Sequence, residues 1–289
     1  MPADIGRLET LTIRPKDFLR PFIKSRAFTV GALLTLVTLI VGVAGPWFAP
    51  ADPNEMDLIS ILQKPTSAHP FGTDDFGRDV LSRVLAGSRV SLIVGASVAG
   101  ITLVLGLVLG LLAGYYRLLD EFVMRIMDLL MAFPAILLAI GIVAVLGQQL
   151  ENVIIALAIV YTPRSVRIVR GAVIVTKEQD YISAARALGA SDVRLMVRHI
   201  ALNITAPLVV QQTFVFAYAV IAEATLSFLG VGVPAGVPSW GNIISDGRNF
   251  LEVAPWMTFA PGVLLALTVL GVNLLGDGLR DLIDPRMKT

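Results

Sequence analysis

Long stretches of this chain carry no charge at all, such as Ala27–Ala49, Val90–Tyr116 and Ala254–Leu275. A run of about 20 apolar residues is enough to cross a bilayer as a helix. Nothing else in the sequence limits the possible folds as strongly. The overall composition agrees, with 55% hydrophobic and 16% charged residues and a mean hydropathy of +0.77. Soluble domains reach a similar apolar share with about 25% charged residues. A soluble enzyme, a DNA-binding protein and a disordered chain are therefore excluded. The net charge of +1 gives no bulk attraction to nucleic acid. The chain has no cysteine, which removes disulfides, Fe–S clusters and cysteine-ligated zinc.

The sequence predicts an all-α membrane protein with six spans, near 28–48, 90–115, 122–146, 152–170, 204–229 and 256–276. None shows the period-2 alternation of a barrel strand, and helices satisfy their backbone groups internally, as hydrocarbon requires. The first run exceeds the 7–15 residues of a cleavable signal core, and Pro50 spoils the nearest cleavage pattern. It reads as a retained span. The fourth span is the weakest, because Arg164, Arg167 and Arg170 follow an uncharged part of only about ten residues, Val153–Thr162.

The basic residues resolve this. Lys and Arg collect in short cytoplasmic segments. With six spans and a cytoplasmic N-terminus, 18 Lys and Arg fall inside and 5 outside. Dropping the fourth span would place the seven basic residues of 163–202 outside. The resulting organisation has a cytoplasmic segment 1–27, a first span 28–48 and an extracytoplasmic loop 49–89 with a short helix from Asp79 to Arg89. A five-helix core follows at 90–278, and a cytoplasmic tail at 279–289 closes the chain. Both termini are cytoplasmic. Gly106, Gly110 and Gly114 form one face of the second span, suited to close helix packing. Pro134 removes a hydrogen bond inside the third span and predicts a kink.

Lys177–Ile200 is the most informative loop. Tyr181, Ala184, Ala185 and Leu188 repeat at helical spacing. Gly189 interrupts them, and Ser191 or Asp192 is suited to cap a second short helix. Two short helices joined at a glycine make a protruding elbow, whose small side chains leave a flat surface for a partner's cleft. An interfacial helix lying on headgroups is the competing reading.

Ser183-Ala184-Ala185 with Gly189, continuing through Ala190 and Ser191, resembles the E-A-A-x3-G loop of binding-protein-dependent ABC importer permeases. Ser183 replaces the usual glutamate, and Ala201-Leu202 replaces the loop's closing Leu-Pro. His69-Pro70-Phe71-Gly72-Thr73-Asp74, with Gly77, Arg78 and Asp79, resembles the H-P-x-G-T-D-x-x-G-R-D motif of the dipeptide, oligopeptide and nickel permeases, second-subunit type. Phe133-Pro134, the segment from Glu223 through Leu226-Ser227-Phe228-Leu229-Gly230, Ser239-Trp240-Gly241 and the ending from Asn273 to Asp281 are similar to the same group. The resemblance covers nearly all of the chain after about residue 18.

The resemblance implies a type I ABC importer permease in a bacterial inner membrane. Its implied partners are a second, homologous permease, two ATP-binding subunits and an extracytoplasmic solute-binding protein, with lipid around them and no nucleic acid. The chain has no G-x-x-x-x-G-K-[ST] loop, so ATP and magnesium belong to the partners and the chain itself binds no cofactor and is no enzyme. It has two histidines and no H-E-x-x-H, which argues against a metal site. The implied docking residues are Tyr181, Ser183, Ala184, Ala185, Leu188, Gly189, Ala190 and Ser191. The implied cargo is a di- or oligopeptide, with nickel or another small solute as the alternative. A channel or secondary transporter working without ATP is a further alternative, although no inverted repeat is visible.

Glu223 lies within the fifth span, where an ionised group costs about 2.5–3.5 kcal/mol on insertion scales, so it must face protein or water. Two readings stay open for Glu223 and its neighbour Ser227: the translocation path, or a structural pair with another helix or the outer loop. Gly72, Thr73, Asp74, Gly77, Arg78 and Asp79 read as architecture, with glycines for turns and acids for helix caps.

Overall fold

A computed structural model describes residues 25–283. The described residues form helices with no strand beyond an isolated bridge between Thr73 and Asp79. Helix α1 is Arg26–Ala44, continued by a 3-10 turn Gly45–Phe48. Helix α2 is Val80–Tyr115, α3 Arg117–Met131, α4 Ala135–Leu146 and α5 Leu150–Lys177. Helix α6 is Asp180–Ala187, α7 Asp192–Phe228, α8 Trp240–Gly247 and α9 Trp256–Ile283. Five of these (α1, α2, α5, α7 and α9) are long and apolar enough to cross a membrane, and α3 with α4 makes a sixth candidate only as a bent pair. The positions 1–24 and 284–289 of the predicted cytoplasmic ends lie outside the described residues.

Two elements depart from expectation. The predicted third span is no kinked rod: α3 and α4 meet at 92°. Ala132 closes α3 by donating to the Asp128 and Leu129 carbonyls, and Pro134 then turns extended, at φ −56° and ψ 129°. A proline cannot donate to the preceding turn, so the helix restarts there instead of bending through. α3 is also strongly amphipathic, with Arg117, Asp120, Glu121, Arg125 and Asp128, whereas α4 is wholly apolar. The second departure is α2. The predicted outer helix Asp79–Arg89 and the second span are one uninterrupted helix of 36 residues. At 1.5 Å per residue it is about 54 Å long. Within it Arg83 is paired with Asp74 and Asp246, and Arg89 is exposed.

α2 is the axis of the bundle, and four apolar clusters touch it, one of them joining Ala113 to Val123 and Met127 of α3 and Val166 of α5. Val80 and Val84 meet Ile243, Ala254 and Met257 near its start. Val94 and Val98 meet α4, α5 and α7 in the middle. Leu103, Leu107 and Leu111 pack on a third cluster at its end, beside the elbow. A polar chain crosses the bundle as well: Thr102 donates to Gln212 (2.8 Å), and Gln212 donates to Ser165 (3.1 Å).

The glycine face of α2 receives α5. A Cβ added at Gly106, Gly110 or Gly114 would lie 2.5–2.6 Å from Ser165, Val169 or Val173. Gly110→Ala is therefore expected to cost about 1–3 kcal/mol through overpacking. Gly100 on the same helix has nothing within 4 Å of its added Cβ. Thermal unfolding in detergent should show Gly110→Ala destabilised and Gly100→Ala unchanged or slightly raised. α1 docks on α9 in the same manner, through Gly31, Gly271 and Gly278.

Candidate functional site: a partner-docking elbow

The elbow begins where α5 ends. α6 runs from Asp180 to Ala187, and Gly189 then adopts φ +87°. Gly189 N donates to Arg186 O (2.9 Å), and Ala190 N donates to Ala185 O (3.1 Å). This pair of bonds is a Schellman stop, and its left-handed position favours glycine. Ser191 caps the next helical turn, its Oγ accepting from Arg194 N. The second short helix is not separate. It passes through a π-turn, Leu195–Ile200, directly into the fifth span as α7. The elbow is thus continuous with the fifth span.

Ile182 holds the elbow down. It is fully buried among Val169 and Val173 of α5 and Leu195, Ile200, Ile204 and Leu208 of α7. Ala185 and Ala190 pack half-buried on the same cluster. A polar latch supports it: Tyr115 at the end of α2 donates to Asp192 (2.5 Å), and Arg186 donates to the Tyr115 hydroxyl (3.2 Å). Asn203 donates to the Tyr181 hydroxyl (3.1 Å). The apolar residues left outside are Tyr181, Ala184, Ala187, Leu188 and Val193, with Leu188 89% exposed. Ser183 and Ser191 are exposed beside them. Sequence reasoning singled out the outward stripe and missed Ile182, whose spacing to Ala185 and Gly189 (i+3, i+7) was the available signal.

At the opposite end of α2 the Gly72–Asp79 motif is a folded loop. Gly72 and Gly77 take φ of +70° and +72°, pressed against the Gln63 and Asp57 backbones. Thr73 Oγ1 accepts from Gln63 N (2.8 Å) and donates to Ser60 O. Asp79 caps α2 by accepting from Ser82 N (2.7 Å), and its other oxygen meets His69 Nδ1 at 2.9 Å. Asp74 accepts from the Phe76 and Arg78 amides through one oxygen (both 2.9 Å) and from two guanidiniums through the other. Those are Arg78 Nε at 2.6 Å and Arg83 at 2.9 Å. Asp246 of α8 closes the network, accepting from Arg83 (2.9 Å) and Arg78 (3.3 Å). No sequence signal joins residues 163 positions apart.

Burial pushes the carboxyls of Asp246 and Asp75 up from the ordinary aspartate value, and for Asp246 this outweighs the pull of Arg78. The folded protein therefore holds the Asp246 proton more tightly than the unfolded chain does. Its stabilising share is complete below about pH 3.8, the ordinary value, and is lost as pH rises through the raised folded one. Comparing thermal stability with Asp246→Asn should show the wild type gaining on the variant as pH falls from 7 toward 4. A constant or shrinking difference would refute the shift.

Glu223 is fully buried in α7. Ser91 of α2 and Ser227 each donate to one of its carboxyl oxygens, both at 2.9 Å. Ser227 in turn accepts from Val233 N (3.2 Å). Added Cβ atoms at Gly232 and Gly241 would lie 2.4 and 2.5 Å from backbone atoms of Ser227 and Ala224, so the 230–241 segment lies tight over this pair. The structure therefore brings Glu223 and Ser227 together inside this chain, facing α2 and the 230–241 segment. Among the described residues no cluster of three or more His, Asp or Glu could hold a metal ion.

Comparisons with known proteins agree with this architecture. A family profile described as "Binding-protein-dependent transport system inner membrane component" matches residues 106–289. A second, the "N-terminal TM domain of oligopeptide transport permease C", matches 15–65. The chain is 49% identical over 269 residues to a Brucella suis biovar 1 permease, covering 93% of this chain and 91% of that one. It is 43% identical to the dipeptide transport system permease protein DppC of Alkalihalophilus pseudofirmus, over 92% of this chain and 88% of that one. It is 41% identical to the di/tripeptide transport system permease protein DppC of Pseudomonas aeruginosa, over 94% and 92%. The membrane subunit in a structure of the MetNI methionine ABC transporter superposes with a TM-score of 0.58 at 19% identity, covering 70% of this chain and 97% of that one, and shows the shared fold. The predicted fold class and family both hold, and the chain belongs to the binding-protein-dependent transport system inner membrane components, the multi-pass permeases of ABC importers.

Proposed function

We propose that this chain is the second, C-type permease of a peptide importer and that it passes di- or oligopeptides inward. The observation that carries the reading is the elbow: an exposed apolar stripe on a short helix whose far face is locked into α5 and α7. A surface so placed transmits force instead of merely adhering. The elbow docks one of two ATP-binding subunits, which hold ATP and magnesium. Their closure pushes the elbow, and α7 carries the displacement to the opposite end. Ligand-driven bias between two packed states is what such coupling requires. The second permease completes the path, and a solute-binding protein delivers cargo to the loop that Asp74, Arg78, Arg83 and Asp246 hold rigid.

Lys177, Arg186, Arg194 and Arg198 around the elbow, with the basic residues of the two chain ends, support a cytoplasmic elbow and cytoplasmic termini. The peptide assignment draws on the relatives named for peptides, dipeptides and tripeptides. Full burial of Glu223 and Ser227 supports a packing role over a path-lining one.

Affinity purification of this chain from native membranes in mild detergent tests the proposal. A second permease and ATP-binding subunits should be recovered with it. Proteoliposomes of that assembly should take up labelled dipeptide only with ATP and the loaded binding protein. A lone chain that moves solute without ATP would overturn the reading.

A further inference from the structure

α5 carries three arginines at i, i+3 and i+6. The two nearer the elbow are paired with acids of α3: Arg170 holds Asp120, and Arg167 holds Asp128 at 2.6 Å. α3 ends at Met131 and the chain turns away, so α3 offers no acid at the next level. Arg164 occupies that level. It is exposed near the midpoint of α5, and no carboxylate among the described residues lies within ion-pair distance of it. Its guanidinium lies over the Tyr218 ring, 5.4 Å from the centroid. Tyr218 is itself stacked on Tyr161. Arg164, Arg167, Gln211, Phe214 and Tyr218 line an open cavity of about 390 Å³.

An exposed guanidinium at the middle of a spanning helix cannot face hydrocarbon. It faces water or another protein. The charges on this flank leave one positive charge over, because Asp120 and Asp128 each already hold an arginine. The tyrosine ring supports the guanidinium of Arg164, whose N–H groups make no hydrogen bond to the described residues. The fork of those N–H groups is shaped for the two oxygens of a carboxylate.

We propose that Arg164, seated on Tyr218, is a waypoint of the translocation path that holds the α-carboxylate of a peptide in passage. This rests on the peptide-importer reading. A single open-sided contact suits a path site, which must bind enough to admit cargo and release it again.

The absence of native cysteine allows a direct test. Gln211→Cys is introduced into this chain within the assembled importer. During ATP turnover it is treated with sulfonatoethyl or trimethylammonioethyl methanethiosulfonate, and labelling of this chain is followed by mass spectrometry. Cys at 211 should react, and the anionic-to-cationic rate ratio should fall about tenfold when Arg164→Gln is added. In the importer without the cysteine, Arg164→Gln should lower dipeptide uptake about tenfold, with ATP hydrolysis within about twofold of wild type. Arg164→Lys should preserve the labelling ratio while still lowering uptake, since it keeps the charge but loses the fork. An unreactive cysteine would mean that a partner covers this face and would overturn the proposal. So would a ratio and an uptake that ignore Arg164→Gln. If the wild-type assembly takes up no dipeptide at all, the peptide-importer reading fails first, and the labelling ratio still decides whether Arg164 faces an anion-accessible path.

Discussion

Leu188→Asp should leave the chain folded in detergent while stripping the ATP-binding subunit from it and abolishing ATP-driven uptake. Leu188 is 89% exposed and has no packing role within this chain, so the isolated subunit loses nothing when it is replaced. In the proposed docked state the same side chain would sit in a partner's cleft. An aspartate there is a buried charge without a partner, which costs about 3–5 kcal/mol. At about 1.4 kcal/mol per tenfold, affinity falls roughly a hundred- to several-thousand-fold. Ala184→Asp should act in the same direction, since Ala184 lies on the same exposed face. Ile182→Asp makes the contrast. Ile182 is fully buried between α5 and α7, so its replacement should lower thermal stability before docking is even assayed. Co-purification in mild detergent, read beside thermal unfolding, separates the two. A Leu188→Asp chain that still brings down its ATP-binding subunit would remove the elbow from the coupling argument.

The elbow also shows what the sequence discloses and what it withholds. Gly189 and Ser191 were legible because each answers a local backbone demand, a left-handed turn and a helix cap. The apolar stripe Tyr181, Ala184, Ala185 and Leu188 was legible too, but periodicity does not say which way its members face. In a soluble amphipathic helix it would be the buried face. Here Tyr181, Ala184 and Leu188 are exposed, while Ala185 turns inward and joins Ile182 in the anchoring. Pro134 announced a break, but its 92° size depended on α3 being amphipathic and α4 apolar, so that the two halves suit different surroundings. The division between the helix Asp79–Arg89 and the second span was a departure in the other direction. Hydropathy ends a span at a charge, yet Arg89 is exposed on α2, Arg83 is held by Asp74 and Asp246, and α2 runs through both without interruption. The first acid is close in sequence to Arg83 and the second is 163 residues away. Long-range pairing is invisible to any local reading.

Asp74→Asn should therefore be the most damaging single change at the end of the bundle opposite the elbow, although it alters almost no volume. Both oxygens of Asp74 are acceptors in use. One receives two backbone amides, the other Arg78 and Arg83. Asparagine has one acceptor and one donor, so either orientation points an NH2 group at existing donors. Arg78 and Arg83 are both buried, and Asp246, with Asp75 at 3.9 Å from Arg78, would remain to balance two guanidiniums. Uncompensated buried charge of this kind costs about 3–5 kcal/mol. The damage should be local first. The 49–79 segment should become sensitive to protease while α5, α6 and α7 keep their packing, because the apolar clusters at the two ends of α2 are separate. Adding Arg83→Met to Asp74→Asn should restore part of the lost stability, since it removes one of the two buried guanidiniums that have lost Asp74. If the double variant is instead less stable than Asp74→Asn alone, by roughly the sum expected of independent sites, the two residues are not coupled and the network does not hold this loop to α2.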